Sequence, residues 1–130
     1  MKTMYQIFVS GIPKAQPRPR MAGNGRVYNP HSADAWKGEI KAAFIACWRG
    51  AIADPVSLKA VFYLPMPKRP KNAGECTAHA VKPDLDNLLK AAMDAMTSAR
   101  VWEDDSQVYK IESEKRYSPS MTGAQIIIEA

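Results

Sequence analysis

The chain of 130 residues contains only two cysteines and no long hydrophobic run. Two cysteines cannot form the disulfide framework of a small secreted scaffold, so that class of protein is excluded. No apolar stretch approaches the roughly 20 residues that a membrane-spanning helix needs. The first residues, MKTMYQIFVSG, also lack a signal-peptide core and a cleavage site. We therefore expect a cytoplasmic protein with no membrane segment.

The composition excludes a disordered chain, because 46% of the residues are apolar and 24% are charged, with five Tyr, three Trp and three Phe. This length supports one hydrophobic core and leaves little room for a second domain. We find no internal repeat and no low-complexity tract. The sequence therefore predicts a single domain over residues 1–130.

Acidic side chains are absent from residues 1–33, which hold five basic ones. Six of the 13 acids lie instead in residues 84–105, although the net charge of the chain is +5. A basic surface favours a polyanionic partner such as nucleic acid. An acidic cluster would repel phosphate unless a cation lay between them, and metal-dependent phosphodiester chemistry needs that combination. The alternative is a basic protein whose charges are only solvated.

Segments such as MYQIFVS, rich in β-branched and aromatic residues, predict four strands, over residues 4–10, 56–64, 107–117 and 124–129. A first helix should be capped by Ser32 or Asp34 and should end near Gly50. A second helix should begin at a capping Asp84 and end near Ser98. This order predicts an α+β fold with one small sheet of about four strands and two main helices packed on one face. The residues that recur at helical spacing in the first helix are Trp36, Ile40, Ala43, Phe44 and Cys47.

Two basic, proline-rich stretches interrupt these elements. In the basic arm, residues 13–30, the turn pair Asn24-Gly25 suggests a small hairpin with a two-residue loop. Arginines contact phosphates and a tyrosine can stack on bases, so the arm is a candidate DNA-binding segment. The basic loop, residues 65–82, has no periodicity, and a loop of this length is usually functional or mobile. The candidate DNA contacts are Arg18, Arg20, Arg26 and Tyr28 in the arm and Lys68, Arg69, Lys71 and Lys82 in the loop.

The acids around the second helix are the candidates for catalysis. At a helix start, the carboxylates of Asp84 and Asp86 can converge, and the short connection VWEDD can fold Asp104 and Asp105 back towards the helix. Mg²⁺ takes oxygen ligands, often one or two carboxylates together with waters and substrate phosphate. Lys90, one turn from Asp86, could neutralise charge that develops on the phosphate. The alternative is a capping aspartate, an ordinary ion pair between Asp86 and Lys90, and a solvated acidic turn.

The remaining polar motifs predict no further chemistry. Cys76 and His79 have the spacing of half a zinc site, but no second pair follows, so we expect no structural zinc. Cys47 is expected in the core. His31 opens the first helix, where it could cap the helix or touch phosphate.

The run KPDLDNLLKAAMDAMTSARVWEDDSQV, residues 82–108, closely resembles the signature of RusA-type Holliday-junction resolvases. The resemblance rests on the D-L-D-N-L-x-K opening, the alanine-rich helix and the D-D-x-Q-V that follows. It extends more loosely to the basic segment PRPRMAGNGRVYNP. These enzymes are small homodimeric endonucleases, frequent in phages and prophages. The resemblance implies a mixed sheet flanked by helices, a symmetric homodimer, and paired nicks in four-way DNA junctions.

By this resemblance, Asp84, Asp86 and Asp105 correspond to the metal-binding and catalytic aspartates of the family, and Lys90 corresponds to its catalytic lysine. The implied cofactor is Mg²⁺, with Mn²⁺ as a substitute and no organic cofactor. Asp104 and Asp94 receive no firm role, and Asp94 could simply pair with Lys90 one turn away.

Two other functions stay open. The first is a branched-DNA-binding protein that keeps the fold without cutting. The intact acids and the lysine count against it, because binding alone favours removal of charge that repels phosphate. The second is a metal nuclease for other branched or flapped DNA, which the sequence hardly separates from a resolvase.

Overall fold

Six strands, two α-helices and one 3₁₀ turn form the part of the chain that the computed structural model describes, which is residues 2–28, 30–67 and 77–130. The helices are α1 (Asp34–Cys47) and α2 (Leu85–Ser98), and the 3₁₀ turn is Asp105–Gln107. The strands are β1 (Met4–Ser10), β2 (Arg20–Met21), β3 (Val27–Tyr28), β4 (Val56–Pro65), β5 (Val108–Ser118) and β6 (Gly123–Glu129). None of the described helices is long and apolar enough to span a membrane.

The main sheet is mixed and has the order β1-β6-β4-β5. Strand β6 is antiparallel to both β1 and β4, whereas β4 and β5 are parallel. Parallel neighbours need a long crossover, and here it contains α2. The predicted α+β class and the four-stranded sheet are confirmed. The segment 119–122 does not join neighbouring strands, because β6 lies on the far side of β4 from β5.

The core lies between one face of this sheet and the two helices. Alternate residues of β4 are buried, and Leu58, Ala60 and Phe62 pack in the same apolar cluster as the helices. The helical residues buried in that cluster are Trp36, Ile40 and Phe44 from α1 and Leu88, Ala92, Ala95 and Met96 from α2. Because α2 packs through this apolar stripe, its polar side faces away from the core.

Helix α1 differs from the prediction at both ends. The cap position is Ala33, without a side-chain capping bond, while Asp34 lies in the first turn and pairs with His31 at 2.9 Å between Oδ2 and Nδ1. The helix ends at Cys47 rather than near Gly50, and Cys47 is exposed. The prediction of a core cysteine was wrong because Trp48, four residues after Phe44, packs against the core instead.

The basic arm contains the predicted hairpin, formed by β2 and β3. Its loop has three residues rather than two, because Ala22 N donates to Arg26 O across the hairpin at 2.7 Å. Gly25 takes a φ of 83°, the left-handed conformation that such a three-residue loop requires. The Asn24 side chain accepts a hydrogen bond from Arg26 N at 3.0 Å.

Helix α2 ends in a turn that sets the direction of the chain towards β5. Val101 N donates to Met96 O at 3.0 Å, and Arg100 has a φ of 62°, as in a Schellman motif. Trp102, which follows Val101, is fully buried, and its Nε1 donates to Thr97 Oγ1 at 2.7 Å. This anchor fixes the start of the acidic segment Glu103, Asp104 and Asp105.

Candidate nuclease site

The start of α2 presents two carboxylates and one ammonium group. Asp84 occupies the cap position, but its side chain makes no capping hydrogen bond. Asp86 and Lys90 are exposed, and neither forms an ion pair within the described residues. The predicted cap position of Asp84 is confirmed, but the side-chain capping bond expected there is absent. The alternative of an ordinary Asp86–Lys90 pair is not observed in the described residues. All three groups are available to a ligand.

Lys115 holds the segment that leads into α2. This residue lies on the helix-facing side of β5, in register with Phe62 of β4. Its Nζ donates to the carbonyl oxygen of Pro83 at 2.7 Å and also to that of Val81. An ammonium group that donates to two carbonyls just before Asp84 ties the start of α2 to the sheet.

The basic arm lies beside the start of α2. Gln16 N donates to Asn87 O at 2.9 Å, which joins the arm to the first turn of the helix. Next to this contact is an open groove of about 610 Å³. We call it the arm groove, and it is lined by Ala15, Gln16, Pro17, Arg18, Arg20, Lys82, Pro83, Asp84 and Asn87. Cationic side chains that are predicted to contact phosphate therefore share one concave surface with a predicted catalytic carboxylate.

The acidic turn after α2 is built around Asp104 and Gln107. The Asp104 carboxylate accepts from Ser106 N at 3.1 Å, so this residue caps the 3₁₀ turn. Gln107 Oε1 accepts from the backbone N–H groups of Glu103 and Asp104 at 2.8 Å each. This capping box gives Asp104, which the sequence left without a role, a structural function.

The other end of the Gln107 side chain fixes the turn to a distant loop. Its Nε2 donates to Ile52 O at 2.8 Å and to Asp54 O at 3.1 Å. A glutamine amide has two N–H donors and a carbonyl oxygen that accepts two hydrogen bonds, so the four bonds use the full capacity of this side chain. The position of Asp105 is therefore set by contacts of its near neighbour in the sequence.

The two carboxyl groups of this turn titrate unequally. A hydrogen bond shared with Asp104 is the main cause that raises the pKa of Asp105, and the nearby negative charges of Asp104 and Asp94 add to it. The backbone N–H of Ser106, followed by the Asp105 carboxyl, lowers the pKa of Asp104. The smallest of these contributions comes from Asp94, so the C-terminal half of α2 lies near enough to the acidic turn for their charges to interact.

Comparison with known families gives a decisive match. The family model described as Endodeoxyribonuclease RusA matches residues 10–129 of the chain. The chain belongs to the RusA endodeoxyribonuclease family. This is a family of Holliday-junction resolvases, and membership implies an endonuclease that hydrolyses DNA phosphodiester bonds. The chain is also similar to the uncharacterized protein YqaN of Bacillus subtilis (strain 168), with 34% identity over 125 residues that cover 85% of each chain.

In this RusA-family protein, the structure separates the predicted metal ligands into two groups. Asp84 and Asp86 lie at the start of α2, whereas Asp105 lies in the turn beyond its end, in the negative field that includes Asp94. Over residues 2–28, 30–67 and 77–130, no three His, Cys, Asp or Glu side chains converge as they would around one metal ion. A joint metal site of Asp84, Asp86 and Asp105 therefore stays a prediction.

The other predicted residues have varied placements. Arg18, Arg20 and Lys82 line the arm groove, whereas Arg26 lies outside it at the far side of the hairpin. Tyr28 contributes backbone to β3, and its side chain lies outside what is described. Lys68, Arg69, Lys71 and Cys76 also lie outside the described residues.

Two residues with open roles, Asp94 and His79, have clear environments. The Asp94 carboxylate lies 3.6 Å from Lys37 Nζ, so its partner is on α1 and not Lys90. His79 is buried, and its ring centroid lies 4.4 Å from that of Tyr117. Burial is the main cause that lowers the pKa of His79, followed by the charge of Lys115. A histidine in this environment favours its neutral form.

Sequence reasoning missed Gln107, Lys115, Gln16 and Lys37. Gln107 carried a usable signal, because an aspartate followed three residues later by glutamine is a capping-box pattern. Lys115 carried a weaker one, since it occupies a core-facing position in a predicted strand. The contacts of Gln16 and Lys37 link segments distant in sequence and left no local signal.

Proposed function

We propose that this RusA-family protein is a Mg²⁺-dependent endonuclease that resolves four-way DNA junctions by paired, symmetric nicks. The observation that carries the proposal is the arm groove, where Arg18, Arg20 and Lys82 share one surface with Asp84. Groups suited to bind a polyanion thus lie beside one carboxylate that is free to bind a cation. Phosphodiester hydrolysis assisted by a metal ion requires both.

The residues present fit a hard divalent cation. Asp84 and Asp86 offer carboxylate oxygens with no competing hydrogen bond in the described structure, and Mg²⁺ commonly uses one or two carboxylates with waters and substrate oxygens. We assign Asp84 and Asp86 as primary ligands, with Asp105 contributing once DNA is bound. When present, Mg²⁺ or a substituting Mn²⁺ polarises the phosphoryl group and lowers the pKa of the attacking water.

The protein's own groups then position the DNA and balance its charge. Lys90 lies one turn beyond Asp86 and has no ion-pair partner in the described residues, so its ammonium can approach the charge that develops on the phosphate. Arg18, Arg20 and Lys82 hold the neighbouring phosphates in the groove. Arg26, Tyr28, Lys68, Arg69 and Lys71 extend this contact as further DNA-binding residues.

A homodimer completes the proposal. Two nicks in strands of like polarity require two active sites in matched positions on a substrate with approximate two-fold symmetry. One chain supplies a single Asp84–Asp86–Lys90 set, and closed two-fold dimers are the commonest oligomers. We propose that the two arm grooves of the dimer face one shared DNA surface, and that the enzyme works on branched DNA in the cytoplasm.

Cleavage of a labelled four-way junction tests the chemistry. Asp86→Asn should abolish cutting in Mg²⁺ while junction binding persists or strengthens, because a charge that repels phosphate is removed. Lys90→Ala should lose most turnover, and Lys90→Arg should not restore it fully, because the guanidinium differs in shape and reach. Matched controls are Asp34→Asn and Lys41→Ala on α1, which should cut at the parental rate.

Each contrary result removes a defined part of the proposal. Parental cutting by Asp86→Asn would show that the metal is held elsewhere. Full activity of Lys90→Ala would make this lysine a surface residue only. Tight junction binding by the wild type with no cutting in Mg²⁺ or Mn²⁺ would favour a binding protein, and preferential cutting of flaps would favour a different branched-DNA nuclease.

A further inference from the structure

One lysine on α1 contacts both the basic arm and the acidic helix. Lys37 Nζ lies 3.1 Å from Gln16 Oε1 in the arm and 3.6 Å from Asp94 Oδ2 on α2. The Lys37 side chain is only 27% exposed, so it is packed at this junction of three segments. Lys41, one turn further along α1, is exposed and makes neither contact.

These contacts form a bracket along one side of α2. Gln16 N donates to Asn87 O at 2.9 Å, while its side chain meets Lys37, which reaches Asp94. Asn87 and Asp94 are about two helical turns apart and therefore lie on the same side of the helix. The arm is thus attached at Gln16, immediately before the arginines that line the arm groove.

The arm has little structure of its own to hold this place. Its hairpin consists of two strands of two residues each. An isolated two-stranded hairpin is marginal in water even when it is longer. The position of Arg18 and Arg20 opposite Asp84 must therefore depend on contacts at the base of the arm.

We propose that Lys37 is a positioning residue that docks the basic arm onto α2 and so places Arg18 and Arg20 beside Asp84. It acts through Gln16 and Asp94 and does not itself touch the substrate. The docking stands on the protein's own contacts, and its consequence for DNA binding rests on the proposed function. Asp94 thereby gains a role as the anchor of Lys37.

Limited trypsin digestion tests the docking without DNA or metal. The initial cleavage rate of the Arg20–Met21 bond, followed by mass spectrometry, reports how often the arm leaves the surface. Lys37→Met should raise this rate about fivefold, the effect of losing one ordinary hydrogen bond. The control Lys41→Met should be cleaved like the wild type, and Lys37→Arg, which keeps the charge and donors, should restore most of the protection.

A second variant separates docking from general unfolding. Gln16→Leu removes the acceptor for Lys37 but leaves the core untouched, so it should also raise the cleavage rate of the Arg20–Met21 bond. The double variant Lys37→Met/Gln16→Leu should be cleaved no faster than the faster single variant, because both changes break one contact. Wild-type cleavage in both single variants, or fully additive effects, would overturn the proposal.

Junction binding in metal-free buffer tests the consequence. Lys37→Met should bind several-fold more weakly than Lys41→Met, with a shallower dependence on salt, because the arm arginines engage phosphate less often. If a variant whose arm is released binds the junction with unchanged affinity and an unchanged dependence on salt, the docking of the arm does not contribute to DNA binding. If the wild type binds no junction at all, the proposed function fails, while the digestion still decides the docking.

Discussion

Replacing Gln107 by leucine should destabilise the protein and loosen the acidic turn. The leucine keeps most of the side-chain volume but deletes four hydrogen bonds, two to backbone N–H groups and two to the carbonyls of Ile52 and Asp54. Three of these bonds are exposed, so water can replace much of what is lost, whereas the bond to Ile52 is partly buried. At about 1 kcal/mol for a typical net hydrogen bond, we expect a total loss of about 2 kcal/mol.

Thermal unfolding followed by circular dichroism measures this loss. For a domain of this size, a change of about 2 kcal/mol corresponds to a fall in Tm of about 6 °C. Gln6→Leu, at an exposed position of β1, is the matched control and should leave Tm nearly unchanged. Amide hydrogen exchange at Glu103 and Asp104 should accelerate in Gln107→Leu alone. Unchanged Tm and unchanged exchange in this variant would refute the assignment of Gln107 as the residue that holds the turn.

Three further predictions concern the rest of the chain. Arg100→Gly should stabilise the protein by about 0.5 kcal/mol, because Arg100 has a φ of 62° that costs an L-amino acid about 1 kcal/mol, and the greater freedom of glycine in the unfolded chain offsets part of this gain. The stabilisation should appear as a higher midpoint of urea unfolding, and a lower midpoint would contradict it. Burial and the charge of Lys115 lower the pKa of His79, so the unfolded state binds the proton more readily and the protein should lose stability as the pH falls below about 6.5. His79→Phe should therefore show a smaller fall in Tm than the wild type between neutral pH and about pH 5. An equal fall in the two proteins would contradict this role of His79. Light scattering at micromolar concentration should return about twice the chain mass of 14.4 kDa, whereas a strict monomer that makes paired nicks would contradict the dimer.

The main sheet and both helices could be predicted because their signals are local. Strand β1 has the bounds expected from its β-branched and aromatic residues, and α2 follows the stripe of Leu88, Ala92 and Met96. The helix end at Cys47 was misplaced because Trp48, rather than the cysteine, continues the packing against the core. The parallel pairing of β4 with β5 could not be predicted, since it depends on a crossover and not on either strand's own sequence.

The candidate site was predictable in its residues but not in its connections. The spacing of Asp84, Asp86 and Lys90 was visible in the chain, and so was the acidic turn. Helix periodicity suggested that Asp94 would meet Lys90, yet the closer packing of α1 supplies Lys37 instead. The arm groove likewise depends on a backbone contact between Gln16 and Asn87, which no local pattern encodes.

Mapping the nicks on a synthetic mobile four-way junction tests the central claim most directly. The wild-type protein and Asp86→Asn are each incubated with the junction, with and without Mg²⁺, and the cut strands are resolved at nucleotide level. We predict two symmetric nicks in strands of like polarity, made by the wild type only with the cation, and none by Asp86→Asn although it still binds. Cutting without any divalent cation, unpaired nicks, or parental cutting by Asp86→Asn would contradict the account.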